Sequence, residues 1–211
     1  MSRTLILDID GTLIDSNDAH ARAWVKAFAS LGIEADAREV RPLIGMGSDQ
    51  LVPTLTGINK DDARFEKLSE GWKNAFKEEL PGLIAFSGTR ELVQAAQSSG
   101  WSVVVATSGE AELAGQLLKL ARVDDLLPLR VSSTEVQASK PEPDLIQAAL
   151  KKAGAAPQDA WMIGDTRYDV TAAHKAGVKC AVVELGGNGQ LGEADQVFPD
   201  LEAVTAWLRQ A

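Results

Sequence analysis

The chain predicts an α/β fold, a parallel sheet covered by helices and carrying one inserted helical segment. Three observations support this. Short, continuous apolar runs recur along the sequence. Helical patterns separate most of them, and the stretch from about Ser16 to Leu80 shows helical periodicity alone. Unbroken apolar runs suit strands covered on both faces, and strand–helix alternation suits right-handed parallel crossovers.

Thr4-Leu5-Ile6-Leu7 reads as the first strand and Ser102-Val103-Val104-Val105-Ala106 as the second. Leu129-Arg130-Val131 is a weaker third, Ala160-Trp161-Met162-Ile163 a fourth, Cys180-Ala181-Val182-Val183 a fifth and Gln196-Val197-Phe198 a short sixth. Helices are predicted over Thr89–Ser99, Glu110–Leu120, Pro143–Ala153, Tyr168–Ala176 and Leu201–Arg209, several of them ending at a glycine. The helical stretch contains Ala19–Leu31, Arg38–Leu43, Ser48–Leu55 and Asp61–Glu79. That is more than an ordinary connection needs. The expected division is a Rossmann-like core of residues 1–15 and 82–211 with a cap of residues 16–81. Hinges would lie near Leu13–Ser16 and Glu79–Leu83, where Pro81-Gly82 punctuates the return.

The 211 residues, 45% hydrophobic and 24% charged, allow a packed core without staples. A formal net charge of −9 argues against nucleic acid as a partner, because phosphate backbones want a basic footprint. The single cysteine, Cys180, lies in an apolar run and reads as a structural thiol, which fits a reducing cytoplasm. The Met1-Ser2-Arg3-Thr4 start does not read as a signal peptide, and no apolar run reaches membrane-spanning length. A monomer is the default expectation.

Ligands of open parallel sheets bind beyond the carboxyl ends of the strands. Asp8-Ile9-Asp10-Gly11-Thr12 follows the first run, Thr107-Ser108-Gly109 the second and Gly164-Asp165-Thr166-Arg167-Tyr168-Asp169 the fourth. Lys140 stands before a helix in Ser139-Lys140-Pro141. These clusters are expected to meet at one sheet edge. Several carboxylates gathered there need a cation, and Mg²⁺ suits carboxylates plus a phosphate. Asp8 and Asp165 are the best direct ligands, with Asp169 next or acting through water. A carboxylate such as Asp8 can attack phosphorus, and a second one two residues on, Asp10, can handle the protons. Thr107, Ser108 and nearby backbone N–H groups such as that of Gly109 can donate to the transferring phosphoryl group, and Lys140 supplies a compact positive charge.

These residues, from Asp8-Ile9-Asp10-Gly11-Thr12-Leu13 through Thr107 and Lys140 to Gly164-Asp165-Thr166-Arg167-Tyr168-Asp169, resemble the haloacid dehalogenase superfamily, in order and in approximate spacing. The helical insertion looks like the cap of its phosphoglycolate phosphatase and beta-phosphoglucomutase branch. The resemblance implies Asp8 as nucleophile, Asp10 as acid/base, Thr107 as phosphate ligand and Lys140 as a bridge between Asp8 and phosphate. It further implies Mg²⁺ held by Asp8, the Asp10 carbonyl and Asp165, and a cap that closes over a small phosphorylated metabolite. Activity is then expected to be hydrolysis of a phosphate monoester. The alternatives are a phosphosugar mutase, a dehalogenase and a non-catalytic binding module. Uncharged Ile44 and Ser48 around Gly45-Met46-Gly47, and Gly164 before Asp165, speak for hydrolysis over the mutase, and Asp10 speaks against a dehalogenase.

Other residues carry two readings each. His20 either faces the site or packs on Trp24, and Gly45 either belongs to a specificity loop or is an ordinary turn. Asp169 is either a metal group or the cap of its own helix. His174 reads as structural, Lys60–Glu79 as the solvated face of a cap helix, and the tryptophans as core, Trp24 excepted.

Overall fold

A computed structural model describes residues 3–187 and 191–210; the Met1-Ser2 start, residues 188–190 and residue 211 lie outside the description. Six parallel strands form one sheet: β1 (Thr4–Leu7), β4 (Ser102–Ala106), β5 (Arg130–Val131), β6 (Ala160–Gly164), β7 (Lys179–Val183) and β8 (Gln196–Phe198), in the order β5-β4-β1-β6-β7-β8. All six runs predicted as strands are strands.

Period-two alternation explains why these runs are apolar at every position. Leu5, Leu7, Val103, Val105, Ile163, Ala181 and Val183 enter one hydrophobic cluster. Ile6, Val104, Ala106, Met162, Cys180 and Val182 enter the other. Helices α5 (Thr89–Ser98), α6 (Ala111–Leu120) and α9 (Leu201–Leu208) cover the first face. Helices α7 (Asp144–Ala153) and α8 (Arg167–Lys175) cover the second. Fully burying each Val, Leu, Ile or Met side chain among them contributes ~1.5–3 kcal/mol.

The chain builds β4 and β5 on one side of β1, then β6, β7 and β8 on the other. The crevice between β1 and its neighbours is therefore a topological switch point, open at the carboxyl ends. Residue 8 follows β1, residue 107 follows β4 and residue 165 follows β6, so sequence-distant groups meet there.

Between β1 and β4 lie α1 (Asn17–Ser30), α2 (Ala37–Val40), α3 (Ser48–Thr56) and α4 (Ala63–Glu79). A 3₁₀ turn at Arg41–Leu43, which contains Pro42, ends α2, so the helix predicted over Arg38–Leu43 is two short pieces. Helices α1 and α4 pack through stacked rings, Trp24 on Trp72 at 5.3 Å and His20 on Phe76 at 3.8 Å between centroids.

The chain's exit to these helices and its return are joined by a feature absent from the sequence reading, an antiparallel ribbon of β2 (Ile14–Asp15) and β3 (Ile84–Ala85). Phe86 N–H and Thr89 Oγ1 both donate to the Leu13 carbonyl and brace it. Two-residue strands are too short to carry a periodic signal.

Candidate active site

At the end of β1 the backbone turns sharply. Gly11 has φ +71°, a conformation that L side chains rarely adopt, and its N–H donates to the Ile14 carbonyl. The turn sets Asp8 and Asp10 in different surroundings. Asp8 is buried, and Lys140 Nζ, itself fully buried, donates to its Oδ1 at 2.6 Å and to Asp169 Oδ1 at 2.7 Å. Asp10 instead accepts from Ser16 Oγ at 2.6 Å and lies 2.8 Å from His20 Nε2.

Asp8, Asp165 and Asp169 form a buried cluster, with carboxylate oxygens within 4.8 Å of one another. Three carboxylates face one ammonium, so full ionisation leaves an uncompensated negative charge. Burial pushes Asp8 up to about 7 against the pull of Lys140, with the charges of Asp169 and Asp10 adding to the rise. Burial also raises Asp165 well above the usual carboxylate range, aided by the charges of Asp169 and Asp8, although Asn17 Nδ2 donates to it at 2.8 Å. For Lys140, burial opposes its charge, but the two aspartates win and raise its pKa. A set of hard oxygen donors that resists ionisation without a counter-charge fits a divalent cation.

Asp10 differs. Burial would raise it, yet the charge and hydrogen bond of His20, with Ser16 and Lys140, outweigh burial and hold its carboxyl below the usual value. Its carboxylate is not part of the acidic cluster.

Loop glycines let the backbone approach this cluster. A Cβ built on Gly186 would stand 1.8 Å from Asp165 Oδ2. Asn17 ties the same region together, donating to Asp165 and to the Gly186 carbonyl.

Above the cluster lies a cleft enclosing ≈ 590 Å³ of empty space, part of it open to solvent. Asp8 belongs to both cluster and cleft. Asp10, His20, Gly45, Ser108 and Gly109 line the cleft as well. Thr107 and Lys140 do not line it. Thr107 is buried, and its Oγ1 accepts the Gly109 N–H at 3.0 Å; Lys140 lies beneath Asp8. Ser108 Oγ donates to the Gly45 carbonyl, and the Gly47 N–H donates to Ser139 Oγ. The Gly45-Met46-Gly47 loop is thereby fastened to segments following β4 and preceding α7. The Lys140–Pro141 peptide bond is cis.

Asp169 caps its own helix and also stands in the acidic cluster. Its Oδ2 accepts from Thr166 N and Oγ1 in a capping box at the start of α8, while its Oδ1 accepts Lys140. His20 faces the site at 2.8 Å from Asp10, and its ring stacks on Phe76 and Trp72 rather than on Trp24. His174 pairs with Asp195 at 2.8 Å, away from the site.

The sequence reading missed Ser16, Asn17, Ser69, Trp72 and Gly186. Helix α4 is not only a solvated face, because Ser69 and Trp72 line the cleft. For Ser16 a signal existed. It stands at the N-cap of α1 but makes no capping bond, and its hydroxyl goes to Asp10 instead.

Comparison with known proteins agrees with this geometry. A family model described as haloacid dehalogenase-like hydrolase matches residues 5–183. The pyrophosphatase PpaX of Bacillus cereus is 29% identical over 85% of this chain and 82% of its own length. A phosphoglycolate phosphatase of Pseudomonas putida is 28% identical over 97% of this chain and 79% of its own length. The crystal structure of a hydrolase from Pseudomonas syringae superposes with a TM-score of 0.89 at 28% identity, covering 99% of this chain and 98% of that one.

Proposed function

The chain belongs to the haloacid dehalogenase-like hydrolase family and is a phosphatase of that type, and from this premise we propose that it hydrolyses a small phosphate monoester with Mg²⁺ through an aspartyl phosphate on Asp8. The observation that carries the reading is the pairing of buried Asp8, held by Lys140 and shared between acidic cluster and open cleft, with Asp10 held ionised beside it.

Asp8, Asp165 and the Asp10 carbonyl would hold the ion, with Asp169, whose two oxygens are already engaged, acting through water. When bound, Mg²⁺ supplies positive charge that keeps the carboxylates ionised and offsets the phosphoryl oxygens. Asp8 attacks phosphorus, forming the acyl phosphate bond as the ester P–O bond breaks. Asp10, ionised at rest, first takes up a proton, which its 2.8 Å partner His20 can pass on, and delivers it to the departing oxygen. Asp10 then takes a proton from water as that water attacks phosphorus and releases phosphate and free Asp8. His20 and Ser16 hold the Asp10 side chain toward this exchange. Lys140 neutralises Asp8 and the phosphoryl group, and Ser108, Gly109 and the Thr107 region bind phosphoryl oxygens.

Helices α1–α4 act as the cap over this core, residues 16–81 against 1–15 and 82–211. The β2–β3 ribbon forms the junction. The buried thiol of Cys180 fits a cytoplasmic location, and a monomer is the assembly we propose. None of the described helices is long and apolar enough to cross a membrane.

A mutase would have to hold a sugar bisphosphate between two attacks, and the Gly45-Met46-Gly47 loop offers uncharged Ile44 and Ser48 at its ends. The test is a Mg²⁺-dependent screen of phosphorylated metabolites with Asp8→Asn as control. Turnover should be lost while the circular dichroism spectrum is kept. Residual activity above roughly a tenth of wild type contradicts covalent catalysis. Conversion of beta-glucose 1-phosphate to glucose 6-phosphate, in place of phosphate release, would establish the mutase.

A further inference from the structure

Helix α3 reaches across to the segment of chain that carries Lys140. Asp49, in the first turn of α3, accepts the Ser139 N–H on Oδ2 at 3.1 Å and the Ser139 hydroxyl on Oδ1. The Gly47 N–H donates to the same Ser139 Oγ at 3.0 Å. Beyond the end of α3, Lys60 Nζ donates to the Gln137 carbonyl at 3.2 Å. Gly47 lies so near that a Cβ there would stand 2.1 Å from Ser139 Oγ and 2.6 Å from Asp49 Oδ1. A side chain at this position would push the two apart.

Ser139 is 1% exposed, and both of its donors go to one carboxylate outside the core. Its carbonyl accepts the Glu142 N–H, and the Ala138 N–H goes to Asp144 Oδ2. Those two bonds are local to the approach to α7. Among the described residues, the hydrogen bonds that tie Ser139 to a distant element come from Gly47 and Asp49. An aspartate in a first helical turn commonly serves only the helix dipole, but this one turns both oxygens to Ser139. Asp49 is not among the described residues lining the cleft, so its reach to the chemistry runs through Ser139.

The next residue is Lys140, whose buried ammonium sits between Asp8 at 2.6 Å and Asp169 at 2.7 Å. Buried ion pairs tolerate little displacement, because a lost contact leaves a charge uncompensated. The backbone beside Lys140 sets where that long side chain ends.

We propose, on the basis of the phosphatase reading above, that Asp49 is a positioning residue: it fixes Ser139, and through it the adjacent Lys140, so that Lys140 stands against Asp8 when α3 is seated on the core. Helix α3 thereby contributes to the phosphoryl-transfer step and not only to the wall around the substrate.

The experiment measures kcat and KM separately for the Mg²⁺-loaded enzyme with p-nitrophenyl phosphate and with acetyl phosphate. Asp49→Ala should lower kcat for both compounds by a similar factor, about tenfold to a hundredfold, with KM within about threefold of wild type. Asp49→Asn keeps an oxygen for the Ser139 N–H and should recover part of the loss. Ser139→Ala keeps the backbone bond, loses the hydroxyl and should lower kcat by about threefold or more. It decides the matter if Asp49→Ala does not keep the wild-type circular dichroism spectrum. Amide hydrogen exchange of the peptide holding residues 137–141, read by mass spectrometry, should quicken in Asp49→Ala. A loss confined to KM or to one of the two compounds overturns the proposal, as does unchanged kcat in the variants or unchanged exchange. Wild-type enzyme that hydrolyses neither compound, while exchange responds as expected, contradicts the phosphatase reading itself.

Discussion

Asp8 and Asp10 stand two residues apart in opposite electrostatic settings. Burial makes Asp8 hard to ionise until charge is supplied, while His20 and Ser16 keep Asp10 ionised at rest. One carboxylate is thereby suited to attack and the other to proton exchange. Asp10→Asn should therefore lower kcat by about 10²–10⁴-fold for an alkyl phosphate, whose departing oxygen needs a proton. The loss should be far smaller in the first step with p-nitrophenyl phosphate, whose phenolate leaves unaided; burst kinetics on both substrates measure this. Away from the site, Asp195 accepts from Cys180 N–H and His174. Burial opposes these partners, but together they hold its carboxyl below the usual 3.8. Its stabilisation is then complete above pH 3.8 and disappears as pH falls through the lowered folded value. Asp195→Asn should cost about 1 kcal/mol at pH 7 and progressively less below pH 4, read by urea denaturation at several pH values. The polar residues that follow strands were legible in the sequence because strand ends mark the binding edge. Asn17, Ser69 and Trp72 were not, because their roles depend on how helices far apart in sequence face each other.

At the scale of elements, every strand of the large sheet was readable, since continuous apolar runs leave little ambiguity in a sheet buried on both faces. Helix ends shifted by a residue or two where a side chain competed for the cap. Helix α1 begins at Asn17, two residues before the predicted start, and α8 begins at Arg167 because Thr166 and Asp169 cap each other. The β2–β3 ribbon escaped notice because its strands hold two residues each. The loop after β7 carries a sharper consequence. Gly186 passes so close to Asp165 that a methyl group there must displace the carboxylate. Gly186→Ala should weaken Mg²⁺ binding by about tenfold or more, consistent with loss of one well-placed ligand, while leaving the sheet intact. Isothermal titration with Mg²⁺, checked by circular dichroism, tests this.

For the whole molecule, the acidic cluster trades stability for function. Without a cation, buried carboxylates repel each other across the switch point, and Lys140 compensates only part of that charge. Asp165→Asn should therefore raise the Tm of the metal-free protein, by about 2–4 °C for each kcal/mol of repulsion removed. The same change should abolish the Tm increase that Mg²⁺ gives the wild type. Differential scanning calorimetry with chelator and with Mg²⁺ separates the two effects. A lower metal-free Tm in Asp165→Asn would mean that Asp165 serves the fold rather than the ion.

The most direct measurement is chemical. Acid-quenching the Mg²⁺-loaded enzyme during turnover of radiolabelled substrate should leave one acid-stable, base-labile phosphoryl group, mapped by mass spectrometry to the peptide carrying Asp8 and missing from Asp8→Asn. Turnover with no label on the protein, or with label on any other residue, would contradict attack by Asp8.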